Sequence, residues 1–189
     1  MDELRSRLAR GPEIVAPELL GWVLATSDSC GVIVEVEAYG GSDDEASHAH
    51  NGPTPRCSPM FGEVGHLYVY RSYGMHWCAN VVVHGPDEPG AVLIRAIEPS
   101  GDIEAMSARR RHPVPRLLGA GPGRLTEALG ITGNHNGLDL LAPSNEVRLI
   151  PGSLDQNQSV ERTPRIGISR ATQLPWRFSI ADNRYRSRS

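Results

Sequence analysis

A chain of 189 residues, 39% hydrophobic and 22% charged, has the size and balance of one globular domain. It contains no run of eighteen apolar residues, which excludes a membrane-spanning helix, and its polar start MDELRSRLAR lacks the apolar segment of a secretory signal. A cytoplasmic, nucleoid-associated protein with no membrane partner is therefore expected. The net charge of −3 argues against indiscriminate polyanion binding, yet the charges are segregated. Acids crowd between Glu35 and Glu45, Arg109, Arg110, Arg111 and Arg116 cluster, and seven more arginines lie from Arg162 to Arg188. An acidic floor with basic rims can still hold a polyanion. Cys30, Cys57 and Cys78 are odd in number with no CxxC spacing, which points away from a disulfide framework and a zinc site. All nineteen basic residues are arginine, so lysine Schiff-base and P-loop lysine chemistry are excluded.

Residues 3–9 and 13–25 are predicted as two short helices from Ile14, Val15, Leu19, Leu20 and Val23 near helical spacing, with Pro12 and Pro17 softening their bounds. The stretch that follows organises the chain. A strand is predicted over 30–39, where Val32, Val34, Val36 and Ala38 alternate with Ile33, Glu35, Glu37 and Tyr39. The first set suits a core. The second lines up two carboxylates and a phenol, and a buried carboxylate is costly unless it is paired or ends at a cleft. That face is expected to floor an active site, with Glu37 as its base.

Residues 40–59 carry Gly40, Gly41, Gly52, Pro53, Pro55 and Pro59 without a period, the mark of a loop. His48 and His50 fall short of the three or four ligands of a zinc site, so no metal is expected; contact with a ligand or plain exposure is the reading preferred. A hairpin is predicted over 66–83. Leu67 and Val69 oppose Tyr68 and Tyr70, and Trp77, Ala79, Val81 and Val83 alternate with His76, Cys78, Asn80 and Val82. Gly74 supplies the turn. Tyr73 and Met75 then sit at the tip, either packed on a neighbouring loop or free to wedge between base pairs.

In the apolar strand expected at 91–98, Arg95 demands a carboxylate, phosphate or water partner, and Glu37 is the candidate, structurally or catalytically. A helix is predicted over 102–111, its three terminal arginines suiting the helix dipole. Gly119, Gly121 and Gly123 lead into an apolar helix; such an entry can hold a phosphate, but it lacks the lysine and spacing of a nucleotide-cofactor site. Short strands are expected at 147–150, 165–168 and 176–180, a polar turn at 155–159 and a frayed end at 183–189.

The stretches VEVEAYGGSDDEASHAHNGPTPR, MFGEVGHLYVYRSYGMHWCANV, AVLIRAIEP, GAGPGRLTEALGI and PRIGIS…PWRFSI together resemble the alkyladenine (3-methyladenine, methylpurine) DNA glycosylase family, in order from about residue 19 to 180. The resemblance implies an α+β fold: a single mixed domain over 1–189, with a curved antiparallel sheet flanked by helices. It implies base-excision repair of duplex DNA containing damaged purines, with no cofactor; scanning DNA for one site at a time is compatible with a monomer, the oligomeric state being left open. Glu37 matches the general base that activates water, and Arg95 the arginine that helps hold it, with carbonyls around 166–168 completing the water site. Tyr39, His48 and Tyr70 match the walls around a flipped base. Asn80 matches the side chain that crowds the 2-amino group of guanine. Tyr73 matches the residue that fills the gap in the duplex, with Met75 beside it. Arg71, Ser72 and His76 depart from the apolar and aromatic residues usual in that turn. Because a strand-nicking glycosylase generally needs an amine nucleophile and the chain, having no lysine, offers only its N-terminal amine, a monofunctional enzyme is expected, with lesion preference left open among 3-methyladenine, 7-methylguanine, hypoxanthine and ethenoadenine. A metal-dependent hydrolase using Glu37, His48, His50 and His66, and a lesion binder that does not cut, are the alternatives.

Overall fold

The structure is a computed structural model and describes residues 2–187. It opens with two short helices, α1 (Asp2–Leu8) and α2 (Pro12–Glu18), followed by strands β1 (Val23–Ala25) and β2 (Ser29–Tyr39). After a long loop come β3 (Leu67–Ser72), β4 (His76–Val82) and β5 (Ala91–Gly101), then helices α3 (Ile103–Arg110), α4 (Pro115–Leu118) and α5 (Pro122–Leu129). Three short strands, β6 (Arg148–Ile150), β7 (Val160–Thr163) and β8 (Arg177–Ile180), close the chain. The strands form one curled antiparallel sheet in the order β3-β4-β5-β2-β1-β6. The second edge of β2 is shared: β1 pairs with residues 30–32 and β8 with residues 35–37, and β7 adds outside β8. This is the expected α+β architecture. No described helix is long and apolar enough to cross a membrane.

Alternation splits the sheet into two faces. Leu67, Val69, Ala79, Val81, Val92, Ile94, Val36 and Ala38 all join the main core. Tyr68, Val82 and Ala91 turn the other way, into a small cluster with Ala49, Cys57 and Met60 beneath the loop. The β2–β5 ladder slips between Ile33 and Val36: Glu35 pairs with Ala96 and Val36 with Ile94, leaving Val34 and Arg95 outside the register. Such an irregularity bends a strand and re-aims a side chain, and here that side chain is Arg95. Ile33, on the Glu35 face, is fully buried, so only the far half of that face is polar. Beyond the end of β4, residues 119–120 line up beside β5: the Ile97 N–H donates to Gly119 O at 3.1 Å, and a Cβ on Gly119 would meet Ile97 Cγ1 at 2.5 Å. The glycine-rich run therefore has a packing reason for its lack of side chains.

Three expectations need correction. The helix expected to reach residue 25 ends at Glu18, because from Gly21 onward the backbone exchanges hydrogen bonds with Ile33 (Gly21 N–H to Ile33 O, 2.9 Å; Ile33 N–H to Trp22 O, 2.7 Å) and Val23 enters β1. The strand expected at 165–168 lies instead at Val160–Thr163, since the Ile166 N–H serves a carboxylate and the Arg165 side chain is drawn into a buried ion pair. The end is not frayed as far as Ser187, whose backbone and hydroxyl are both hydrogen-bonded to Glu35; residues 188–189 lie outside the described residues.

Candidate active site

Register builds the site. Tyr68 pairs with Asn80, Asn80 with Leu93, Leu93 with Glu37 and Glu37 with Arg177, so one row crosses five strands on one face. Tyr70 opposite Cys78 and Tyr39 opposite Ala91 flank that row. Above it opens a cavity of about 520 Å³, and six of the eight expected site residues line it: Tyr39, His48, Tyr70, Tyr73, Asn80 and Arg95. Glu37 lies one layer beneath, fully buried, while its three hydrogen-bond partners line the cavity. Met75 is on the hairpin but not on the cavity wall.

The Glu37 carboxylate accepts from the Ile166 N–H on Oε1 at 2.7 Å, and on Oε2 from the Tyr39 hydroxyl at 2.9 Å and Arg95 Nη1 at 3.2 Å. A carboxylate offers about four acceptor positions, so one remains. Arg95 is the partner anticipated for Glu37, but it is shared: Nε donates to Glu35 Oε1 at 3.0 Å and Nη2 to Ser187 Oγ at 3.2 Å. Glu35 also accepts from Arg177 Nε at 2.7 Å. Burial works to push the Glu35 carboxyl up, but hydrogen bonds from Arg177 and Ser187 and the charges of Arg95 and Arg177 outweigh it and hold the carboxyl below the usual carboxylate range. Two buried carboxylates, the buried Arg95 and the half-buried Arg177 thus form a charge-balanced quartet.

The aromatic walls come from β3, the loop that carries His48, and β2. Tyr70 and Tyr68 project from β3, their centroids 5.4 Å apart, and His48 meets Tyr70 edge-on at 4.6 Å. His48 Nδ1 is 3.0 Å from the Tyr68 hydroxyl. Burial first, and the Arg56 charge second, lower the imidazole's affinity for a proton, so His48 is a neutral ring at neutral pH. Burial likewise pushes up the phenols of Tyr39, Tyr68 and Tyr70, which keeps them protonated. Asn80 Nδ2 donates to Tyr68 O at 2.9 Å, which fixes its carboxamide at the pocket wall.

Tyr39 carries the Arg165 guanidinium over its ring at 4.7 Å, and the same guanidinium lies 5.3 Å from Trp176. Arg165 makes a bidentate pair with Asp44 at 2.6 and 2.7 Å and donates to Ala38 O at 2.9 Å, both side chains being sealed from solvent. Asp44 also accepts from the Gly40 and Ala46 N–H groups, which closes the loop entrance. One ion pair therefore ties together the Tyr39 ring, the loop carrying His48 and the segment whose Ile166 N–H holds Glu37. Sequence reasoning missed Asp44, Arg165, Tyr68, Arg56 and Ser187, and gave Glu35 no separate role. Tyr68 was within reach, since it shares the Tyr70 face of its strand.

At the hairpin tip the Met75 N–H bonds to Ser72 O at 3.0 Å, and Tyr73 and Gly74 both adopt left-handed backbone, φ 49° and 68°. Glycine does so freely; a tyrosine pays about 1–2 kcal/mol. Tyr73 is 85% and Met75 68% exposed, so neither packs onto a neighbouring loop. The histidines of the metal alternative are each engaged separately: His48 with Tyr68, His50 with Ser42 O at 2.6 Å, His66 with Glu63 O at 3.1 Å. Among the described residues no three His, Cys, Asp or Glu side chains converge.

Known proteins are similar to this chain over nearly its whole length. The family model described as methylpurine-DNA glycosylase matches residues 6–184. A Rhodopseudomonas palustris protein named "Putative 3-methyladenine DNA glycosylase" is 48% identical over 183 residues, 96% of this chain and 89% of its own. Proteins of the same name from Burkholderia lata (48% over 174 residues, 90% and 84% of the two chains) and Nitrobacter winogradskyi (45% over 184 residues, 97% and 86%) are similar throughout. The chain belongs to the methylpurine-DNA glycosylase family of DNA-repair enzymes.

Proposed function

We propose that this protein removes alkylated or deaminated purines from duplex DNA as a monofunctional glycosylase. It swings the damaged nucleotide into the aromatic cavity and hydrolyses the N-glycosidic bond with water, leaving an abasic site. The observation that carries this is a buried carboxylate, Glu37, directly behind a cavity walled by Tyr39, His48 and Tyr70 and overhung by an exposed, strained Tyr73.

A base inside a duplex is out of reach, and extruding it costs a few kcal/mol. Tyr73, projecting from the tip, offsets part of that by stacking in the vacated space, worth about 1–3 kcal/mol. The flipped purine stacks between Tyr39 and His48 with Tyr70 as the third wall, and the anchored Asn80 carboxamide crowds a guanine 2-amino group. Glycosidic cleavage develops positive charge on the sugar, and water attacks the face opposite the departing base. The free acceptor position of Glu37 orients that water and takes its proton. Arg95, steered by Glu35, fixes the carboxylate. With no lysine in the chain, no side-chain amine is available to trap the sugar and nick the strand.

Glu37→Gln tests the assignment. The variant is expected to bind a duplex carrying an abasic analogue like wild type and to lose base release by about 100-fold or more, the span of general-base catalysis. Release at near wild-type rate would refute it.

A further inference from the structure

Among the described residues, Arg56 and Arg95 line the cavity and Arg165 lies behind its Tyr39 wall, and the three differ in how their charge is met. Arg95 is neutralised by Glu35 and Glu37, and Arg165, behind Tyr39, by Asp44. Arg56 makes no ion pair with any described carboxylate; its guanidinium donates to Arg71 O at 3.2 Å and lies 5.2 Å from the Tyr70 centroid. It lines the cavity itself. The π face of Tyr70 is thus already occupied by a resident cation, and among the described residues the net positive charge at the cavity wall is its own.

Electron-rich rings would attract a positively charged alkylated base. A guanidinium on one of those rings competes for the same π density and adds like-charge repulsion, while a neutral purine meets neither penalty. We propose that Arg56 is a specificity-determining residue that biases the cavity toward neutral damaged purines, of the deaminated or etheno class, and against cationic ones alkylated on a ring nitrogen. This rests on the glycosylase reading above and names the substrate class of that same cavity. Because Arg56 is exposed, the bias is screened by salt.

The test is single-turnover base release by wild type, Arg56→Gln and Arg56→Lys from two duplexes of identical sequence, one with a single 7-methylguanine and one with a single hypoxanthine. The ratio of the two rates, compared between enzymes, cancels any common effect on DNA grip and the contribution of Asn80. Arg56→Gln is expected to raise the ratio of 7-methylguanine to hypoxanthine release by about two- to fivefold, the worth of an exposed cation–π contact, and more at low salt than at high. Arg56→Lys keeps the charge and is expected to hold the wild-type ratio. Both rates falling together with an unchanged ratio would assign Arg56 to phosphate contact and overturn the proposal, as would a falling ratio. Wild type that releases neither base would instead refute the glycosylase reading, and the proposal with it.

Discussion

Replacing Asp44 by alanine removes the pair that joins three parts of the site. The carboxylate is 1% exposed and takes two hydrogen bonds from Arg165 and one each from the Gly40 and Ala46 N–H groups. Without it Arg165, at 0% exposure, keeps one hydrogen bond, to Ala38 O, and its Nε already has no partner. Breaking a buried ion pair from one side costs about 3–5 kcal/mol, because the remaining charge is left desolvated. At about 2–4 °C per kcal/mol for a domain of this size, Tm is expected to fall by about 6–20 °C. Urea titration and calorimetry on Asp44→Ala, Arg165→Met and the double variant measure this, and the double variant is expected to show a coupling of about 1–3 kcal/mol. A loss below about 1 kcal/mol for Asp44→Ala, or strict additivity, would refute the pair as the tie between loop, ring and carboxylate.

Tyr73→Gly removes an exposed ring from a left-handed position. The free protein is expected to keep its stability within about 1 kcal/mol, since relieved strain and added chain entropy oppose each other, while affinity for a lesion duplex falls by about 1–3 kcal/mol; unchanged affinity by fluorescence anisotropy would remove Tyr73 from the interface. Asp28 is held down to about 2 by its hydrogen bond from Arg109, with Ser29 adding to it. A depressed carboxyl contributes stability that is present above its ordinary pKa of 3.8 and lost as pH falls toward about 2. Carbon-detected NMR titration of Arg109→Gln is expected to return Asp28 toward 3.8, and a midpoint still near 2 would contradict this cause. Glu35 follows the same sign, its contribution being present above about 4.5 and lost below it. Glu35→Gln should therefore flatten acid unfolding on that side, and a profile as steep as wild type would show that the quartet does not hold it.

How much of this was legible depended on sequence separation and on motif. Glu37 and Arg95 could be paired in advance because each is a lone charge, or one of two, in an apolar strand, and burial leaves such groups few partners. The place of Tyr73 at the hairpin tip followed from a glycine turn between alternating strands, and the fold decided that it stays exposed there. Asp44 and Arg165 lie 121 residues apart, and Ser187 reaches Glu35 across 152, in segments whose composition reads only as loop or tail. The helix read too long and the strand read five residues late failed for a related reason. Long-range backbone pairing, of Gly21 and Trp22 with Ile33 and of β7 with β8, overrode local pattern.

Periodicity and residue chemistry alone determined the strand that carries the acid, the cation that answers it and the ring at the hairpin tip, because alternation assigns faces and burial restricts charge. Only the folded chain decided that Arg95 is divided between two carboxylates, that Tyr39 rests on a buried guanidinium, and that Arg56 alone among the described residues brings an unneutralised charge to the cavity. Those contacts depend on curvature and register across five strands, and a one-dimensional pattern does not specify which distant segments those will bring within hydrogen-bonding distance.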